Sequence, residues 1–220
     1  LTPEPWVPPP LEQRQLRAWT LRVQSLKDIR QQEENRIEAH MVAGLRDVAA
    51  NVAEHIKWLD AEIQKLQKDI DDHIDRHPGL KNDAALIASI PGLGATTVAR
   101  VLGHFGDIRR FKSAKAFAAF LGLTPKQRTS GTSLKGRTMV SKTGNASLRA
   151  ALFMPSMVAR RHNPILRQFA ERLLANGMAK RAVISAVTHK MAHLIYGVIR
   201  TGKPFDADYL HKNLAIQDGI

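Results

Sequence analysis

Residues 45–74 read LRDVAANVAEHIKWLDAEIQKLQKDIDDHI. The apolar residues Leu45, Val48, Val52, Ile56, Leu59, Ile63, Leu66, Ile70 and Ile74 follow one another at steps of three or four, with Asp, Glu, Lys and Gln between them. Such steps gather side chains on one stripe of an α-helix, whereas a strand needs a period of two. The stripe is a heptad-like seam of about four heptads, roughly 45 Å long at the helical rise per residue. A seam of this length has to be covered, either by the preceding helix folded back as a hairpin or by another chain. The expectation is a protruding coiled coil used for assembly, in a homo-oligomer (dimer or tetramer). His77-Pro78-Gly79 ends it.

Working outward, Leu16, Trp19, Val23, Leu26 and Ile29 repeat the three-and-four spacing and predict a helix from about Leu11 to His40. Residues 1–10 contain five Pro and are expected to be extended. Downstream, no strand-like alternation lasts more than a few residues. Helices are predicted at about 82–89, 95–104, 113–120, 145–160, 163–175 and 178–200. Asn163-Pro164 reads as a helix start, and Asn176-Gly177 and Gly202-Lys203-Pro204 as helix stops. The fold class is therefore all-α. A Pro-rich segment (1–10) precedes a helical coiled-coil region (11–79), a compact basic helical domain (80–205) and a tail (206–220).

Charge divides the chain. Residues 1–106 carry 13 Lys+Arg against 15 Asp+Glu, net −2, while residues 107–220 carry 20 against 5, net +15. No carboxylate occurs between Asp107 and Glu171. A solubilising surface mixes its charges; a one-signed surface of this extent suits a polyanion, because phosphate neutralisation dominates nucleic-acid affinity. Aromatic residues are 5% of the chain, too few for stacking to be the main binding device. Cys is absent, which excludes disulfides and thiolate metal sites and fits a reducing cytoplasm; the nucleic-acid partner expected here would make the protein nucleoid-associated. No run of 18 apolar residues and no signal peptide is visible, so no membrane partner is expected.

Two stretches carry candidate chemistry. Ile90-Pro91-Gly92-Leu93-Gly94 lies between two predicted helices. Gly92 and Gly94 permit a tight turn whose backbone N–H groups could meet a phosphate at a helix N-terminus, as in a helix-hairpin-helix. The competing reading is a turn that only packs two helices, with Ile87, Ile90, Val98, Val101, Leu102 and Phe105 as its core.

The second is KQRTSGTSLKGR, residues 126–137, with four cations, two Gly and four hydroxyl side chains. Lys126, Arg128, Lys135, Arg137, Lys142 and Arg149 recur here and just beyond, among groups able to bond phosphate oxygens. His189 and His193 stand at i, i+4, the spacing of a zinc pair. Lys190 occupies the place of the zincin Glu, and no third ligand is evident.

The run IPGLG, TTVARVLGHFGD, GLTP, SG and SK-x-GN-x-x-LR, in that order over about residues 84–200, resembles the C-terminal domain of the insertion-sequence one-ten family of transposases. These are DEDD enzymes related to the Piv DNA invertases, some of them guided by a bridge RNA. The resemblance implies DNA as partner, a guide RNA in some members, and strand cleavage by a composite site. In that site a RuvC-like acidic tetrad holds Mg²⁺ and a serine attacks the phosphodiester.

The family's Ser-Gly pair falls on Ser130-Gly131, which makes Ser130 the expected nucleophile; Ser133 and Ser141 are its rivals within the same stretch. The implied acidic tetrad falls ahead of residue 1. Asp69, Asp72 and Asp75 of the long helix do not form a two-metal cage, so no metal is expected on this chain itself and strand exchange by the 220 residues alone is not expected. Beside this reading stand a non-catalytic helix-hairpin-helix module that binds nucleic acid, and a coiled-coil scaffold.

Overall fold

A computed structural model describes residues 8–126, 129–130, 134–135, 139–141 and 143–208. The chain is all-α. Its described elements are α1 (Leu11–Val42), α2 (Arg46–Arg76), α3 (Pro78–Ala88), α4 (Ala95–Phe105), a 3₁₀ turn (Ile108–Arg110), α5 (Ala114–Phe120), α6 (Ala146–His162), α7 (Pro164–Ala175) and α8 (Lys180–Thr201). Four two-residue strands, β1 (Pro125–Lys126), β2 (Thr129–Ser130), β3 (Leu134–Lys135) and β4 (Met139–Val140), lie between α5 and α6. Two compact units result. The first comprises residues 1–81 and 102–106, the second 82–101 and 107–220.

In the first unit α1 and α2 form an antiparallel hairpin. Gly44 makes the reversal possible. It sits at φ 76°, and the N–H groups of Gly44 and Leu45 bond back to Met41 and His40 carbonyls, closing the end of α1. Arg30 pairs with Asp60, and His55 lies 3.5 Å from the buried Glu33, which also takes Arg36 at 2.7 Å. The seam of α2 is thus covered by the preceding helix of the same chain. Leu59, Ile63, Ile70 and Ile74 are buried against Leu16, Val23 and Leu26. Toward the reversal the cover fails: Met41, Val42, Leu45 and Val48 are exposed.

The long helix ends at His77-Pro78-Gly79 as expected, and Pro78 also starts the next helix. His77 closes α2, and α3 begins at Pro78, whose missing N–H costs nothing in a first turn. Leu102 and Phe105, expected in the core of the turn-linked helix pair, are buried within the first unit. There Gly103 comes so close to α1 that an added Cβ would lie 3.0 Å from the Arg17 backbone.

In the second unit α8 is the axis. Val183, Val187, Met191, Ala192, Ile195 and Ile199 are all at most 1% exposed. They meet α5, α6, α7 and the 3₁₀ turn. By length and composition α8 alone among the described helices could cross a membrane, but half of its apolar window is buried in this core. Asn145 and Asn163 cap α6 and α7 through their side-chain oxygens, at 3.0 and 3.1 Å from the Leu148 and Leu166 N–H groups. Gly177 ends α7 at φ 78° and Gly202 ends α8 at φ 66°.

Candidate functional site

The stretch expected to be a loop between α5 and α6 is a nested antiparallel ribbon. At its base β1 pairs with β4, Pro125 opposite Val140 and Lys126 opposite Met139. Further along, β2 pairs with β3, Thr129 opposite Lys135 and Ser130 opposite Leu134. The ladders are separated by two residues on one side and three on the other, so they do not share one register. Ser130, opposite Leu134, is the last described residue of β2.

Three contacts fasten the base of this ribbon. The Ser141 N–H donates to the Thr124 carbonyl at 2.8 Å, the Asn145 N–H to the Phe120 carbonyl at 2.9 Å, and Arg149 Nη1 to the Leu121 carbonyl at 3.1 Å. Gly144 is required here. At φ 149° it lies against the end of α5, where an added Cβ would fall 2.4 Å from the Phe120 carbonyl oxygen and 2.5 Å from the Gly122 nitrogen. The Gly-Asn pair of the sequence thus has two distinct tasks. Gly144 allows backbone to touch backbone, and Asn145 closes the ribbon while capping α6.

The expected site residues separate accordingly. Ser130, Lys126 and Lys135 lie in the ribbon's strands. Arg128, Gly131, Ser133, Arg137 and Lys142 lie outside the described residues. Ser141 stands at the base, its Oγ 3.4 Å from the Thr143 N–H. Arg149, expected to bind nucleic acid, spends one guanidinium nitrogen on the fastening of the ribbon.

The glycine turn sits elsewhere in the same unit. Gly92, at φ 104°, presses on α6, with an added Cβ 2.6 Å from Ala159 Cβ and 2.8 Å from its Cα. Gly94 faces open space, with nothing within 4 Å of an added Cβ. The first glycine therefore serves packing, and the second leaves its backbone accessible ahead of α4.

Other basic residues lie in the same unit. Lys112, Lys115, Arg161, Arg167, Arg172, Lys180 and Arg181 are exposed. Arg109 is committed to a two-pronged bond with Asp83, at 2.9 and 2.7 Å, which raises its pKa further. Arg110 lies over the rings of Phe111 and Phe120, 5.1 and 6.0 Å from their centroids. On α8 the rings of His189 and His193 are 4.5 Å apart. Burial, then nearby positive groups, holds both below the ordinary histidine value. Among the described residues no group of three or more His, Asp or Glu is arranged to hold a metal. The Asp71 carboxyl is pushed up by partial burial and then by the neighbouring Asp75 and Asp72.

The model of the transposase IS116/IS110/IS902 family matches residues 84–171, which hold the ribbon and the glycine turn. That part of the chain belongs to this family. Over 150 residues the chain is 35% identical to the pilin gene-inverting protein of Moraxella bovis, covering 68% of this chain and 46% of that protein. It is 25% identical over 167 residues to the insertion element IS110 43.6 kDa protein of Streptomyces coelicolor, covering 76% and 38%. It is 23% identical over 172 residues to a probable family 20 transposase of Pseudomonas aeruginosa, covering 73% and 47%. The chain spans less than half the length of each of these relatives.

Proposed function

We propose that this chain contributes the serine half of a composite DNA-recombining site. The observation that carries the reading is the fastened ribbon. Ser130 pairs with Leu134 in it, in a stretch of 63 residues without a carboxylate. Ser130 Oγ gives up its proton, forms an ester to phosphorus, and displaces one bridging oxygen of the strand. Rejoining reverses these bonds with a new strand end. A serine hydroxyl is a weak nucleophile at neutral pH and needs a base or metal. None of the described residues offers a metal site, so that function falls to acidic residues outside this stretch, as the family resemblance implies.

Lys126, Arg128, Lys135, Arg137 and Lys142 clamp the non-bridging oxygens, where charge grows during attack. The open backbone at Gly94 supplies a further phosphate contact. Assembly through the uncovered end of the α1–α2 hairpin brings a second copy's acidic half to the ribbon, and in members of this kind a guide RNA directs the target. The test uses Ser130→Ala in a chain joined to a family metal-binding domain. Strand cleavage disappears while DNA affinity stays within about twofold, since a lone neutral hydroxyl adds little to a charge-driven interface. Cleavage at the parent rate in that variant rejects Ser130 as nucleophile.

A further inference from the structure

The α1–α2 hairpin carries a cleft of about 460 Å³ lined by Gln15, Trp19, His73, Arg76 and His77. That volume lies in the range of small-ligand sites, roughly 300–1,000 Å³. The five side chains are not a random sample of surface. His73 is only 4% exposed, and its Nε2 lies 2.9 Å from the Glu12 carbonyl oxygen. His77 Nδ1 lies 2.7 Å from the His73 carbonyl oxygen. A carbonyl only accepts, so each of these nitrogens carries the hydrogen and donates it. Both imidazoles are thereby fixed in one tautomer, with the lone pair on His73 Nδ1 and on His77 Nε2.

The rings form a small aromatic wall. Trp19 meets His73 edge-on with centroids 5.3 Å apart, and His73 and His77 are 4.4 Å apart. Gln15 and Arg76 are exposed at its rim. Arg76 is positioned by its Nε bond to the Asp72 carbonyl at 3.0 Å, and this leaves its terminal nitrogens for another acceptor.

The cleft thus offers the partly exposed rings of Trp19 and His77, with His73 buried behind them, an amide that both donates and accepts, and one guanidinium. A metal ion suits it badly. Only two imidazoles are present, no third His or acid joins them, and Arg76 repels a cation. A planar heteroaromatic ring with polar edges and an attached anion matches every group. We propose that this cleft binds one nucleotide unit, its base against Trp19 and His77 and its phosphate on Arg76. The same chemistry is presented by a free nucleotide and by an unpaired nucleotide of a strand.

The hairpin lies in the half of the chain with no excess of positive charge, 13 Lys+Arg against 15 Asp+Glu in residues 1–106. Its affinity therefore comes from stacking and a single phosphate, unlike that of the basic second unit. The proposal is independent of any nucleophile at Ser130, and its test measures no cleavage.

The experiment uses the full chain with Trp6→Phe and Trp58→Phe, which leaves Trp19 as the fluorophore. Probes are the four ribonucleoside monophosphates, short single strands of RNA and DNA, inorganic phosphate and Zn²⁺. Saturable quenching of Trp19 by the monophosphates or by the strands supports the proposal. Tighter binding of a strand assigns the site to an unpaired nucleotide, and equal affinity assigns it to a free one. Arg76→Ala and Gln15→Ala, both at exposed positions, weaken that binding by about tenfold, within the range of single stacking and phosphate contacts. The salt slope of the Trp19 signal is about −0.7, one phosphate on a single strand. The proposal fails if neither monophosphates nor strands quench Trp19, if inorganic phosphate quenches equally, or if Zn²⁺ alone saturates the signal in a manner lost in His77→Ala.

Discussion

Replacing Gly144 by Ala tests the ribbon's base directly. The new Cβ would lie 2.4 Å from the Phe120 carbonyl oxygen, 2.5 Å from the Gly122 nitrogen and 3.0 Å from the Gly122 Cα. All three are backbone atoms, so no side chain can swing aside. A non-glycine residue held at such a φ costs about 1–3 kcal/mol. Forcing backbone apart in a packed region adds about 1–3 kcal/mol. The expected loss is therefore about 2–6 kcal/mol, or roughly 5–20 °C in melting temperature for a chain of this size.

Gly197→Ala is the matched control. Gly197 lies inside α8 with nothing within 4 Å of an added Cβ and no positive φ. There the same change stabilises by about 0.5–1 kcal/mol, because alanine restricts the unfolded chain and favours helix. Thermal unfolding followed by circular dichroism reads both. If Gly144→Ala melts within about 2 °C of the parent, the close approach of residue 144 to the end of α5 is wrong.

Gly92→Ala destabilises by about 2–5 kcal/mol, the combined cost of its φ and of crowding Ala159. Adding Ala159→Gly restores less than half, because the Ala159 Cα and N remain 2.8 and 2.9 Å from the new Cβ. Stability falls as the pH drops. The folded chain holds His189 and His193 below the ordinary value, so the unfolded chain takes up protons first. Their contribution is intact above about pH 7 and is lost as pH falls through about 6.5 toward the folded values; denaturant titrations of His189→Gln with His193→Gln show a flatter profile. Lys126→Ala and Lys135→Ala each lower the slope of log affinity for duplex DNA against log salt by about one. An unchanged slope removes that lysine from the phosphate contacts.

The helices were legible because their signals are long or chemically specific. The seam from Leu45 to Ile74 spans all of α2, and Asn163-Pro164 caps α7 as its chemistry requires. What covers the seam was not legible, since a heptad stripe looks the same beneath a neighbour in the chain and beneath a partner. The signal that decides it is Gly44, whose left-handed conformation reverses the chain. Pro78 marks the end of α2 as its chemistry suggests, but that it also opens α3 at the first position was not legible, since the next helix was expected only from about residue 82.

The ribbon was invisible for another reason. Strands of two residues are too short to show alternation, and the ladders are held by backbone contacts at residues 120–145 whose partners lie far apart in sequence. The proposal that residues 126–137 meet phosphate rests on composition and charge alone. The place of Ser130 at the end of a ladder needed coordinates. The His73–His77 pair has the same i, i+4 spacing as His189–His193, but its Trp19 and Arg76 neighbours emerge only when the hairpin closes.

In the proposed function Ser130 forms a covalent bond to DNA. The most direct measurement traps a nicked DNA substrate on a chain joined to its metal-binding half and locates the adduct by mass spectrometry. The account predicts a phosphoserine ester at Ser130, absent in Ser130→Ala and retained in Ser133→Ala and Ser141→Ala. An adduct on Ser133 or Ser141, or strand exchange that proceeds without any serine ester, contradicts it.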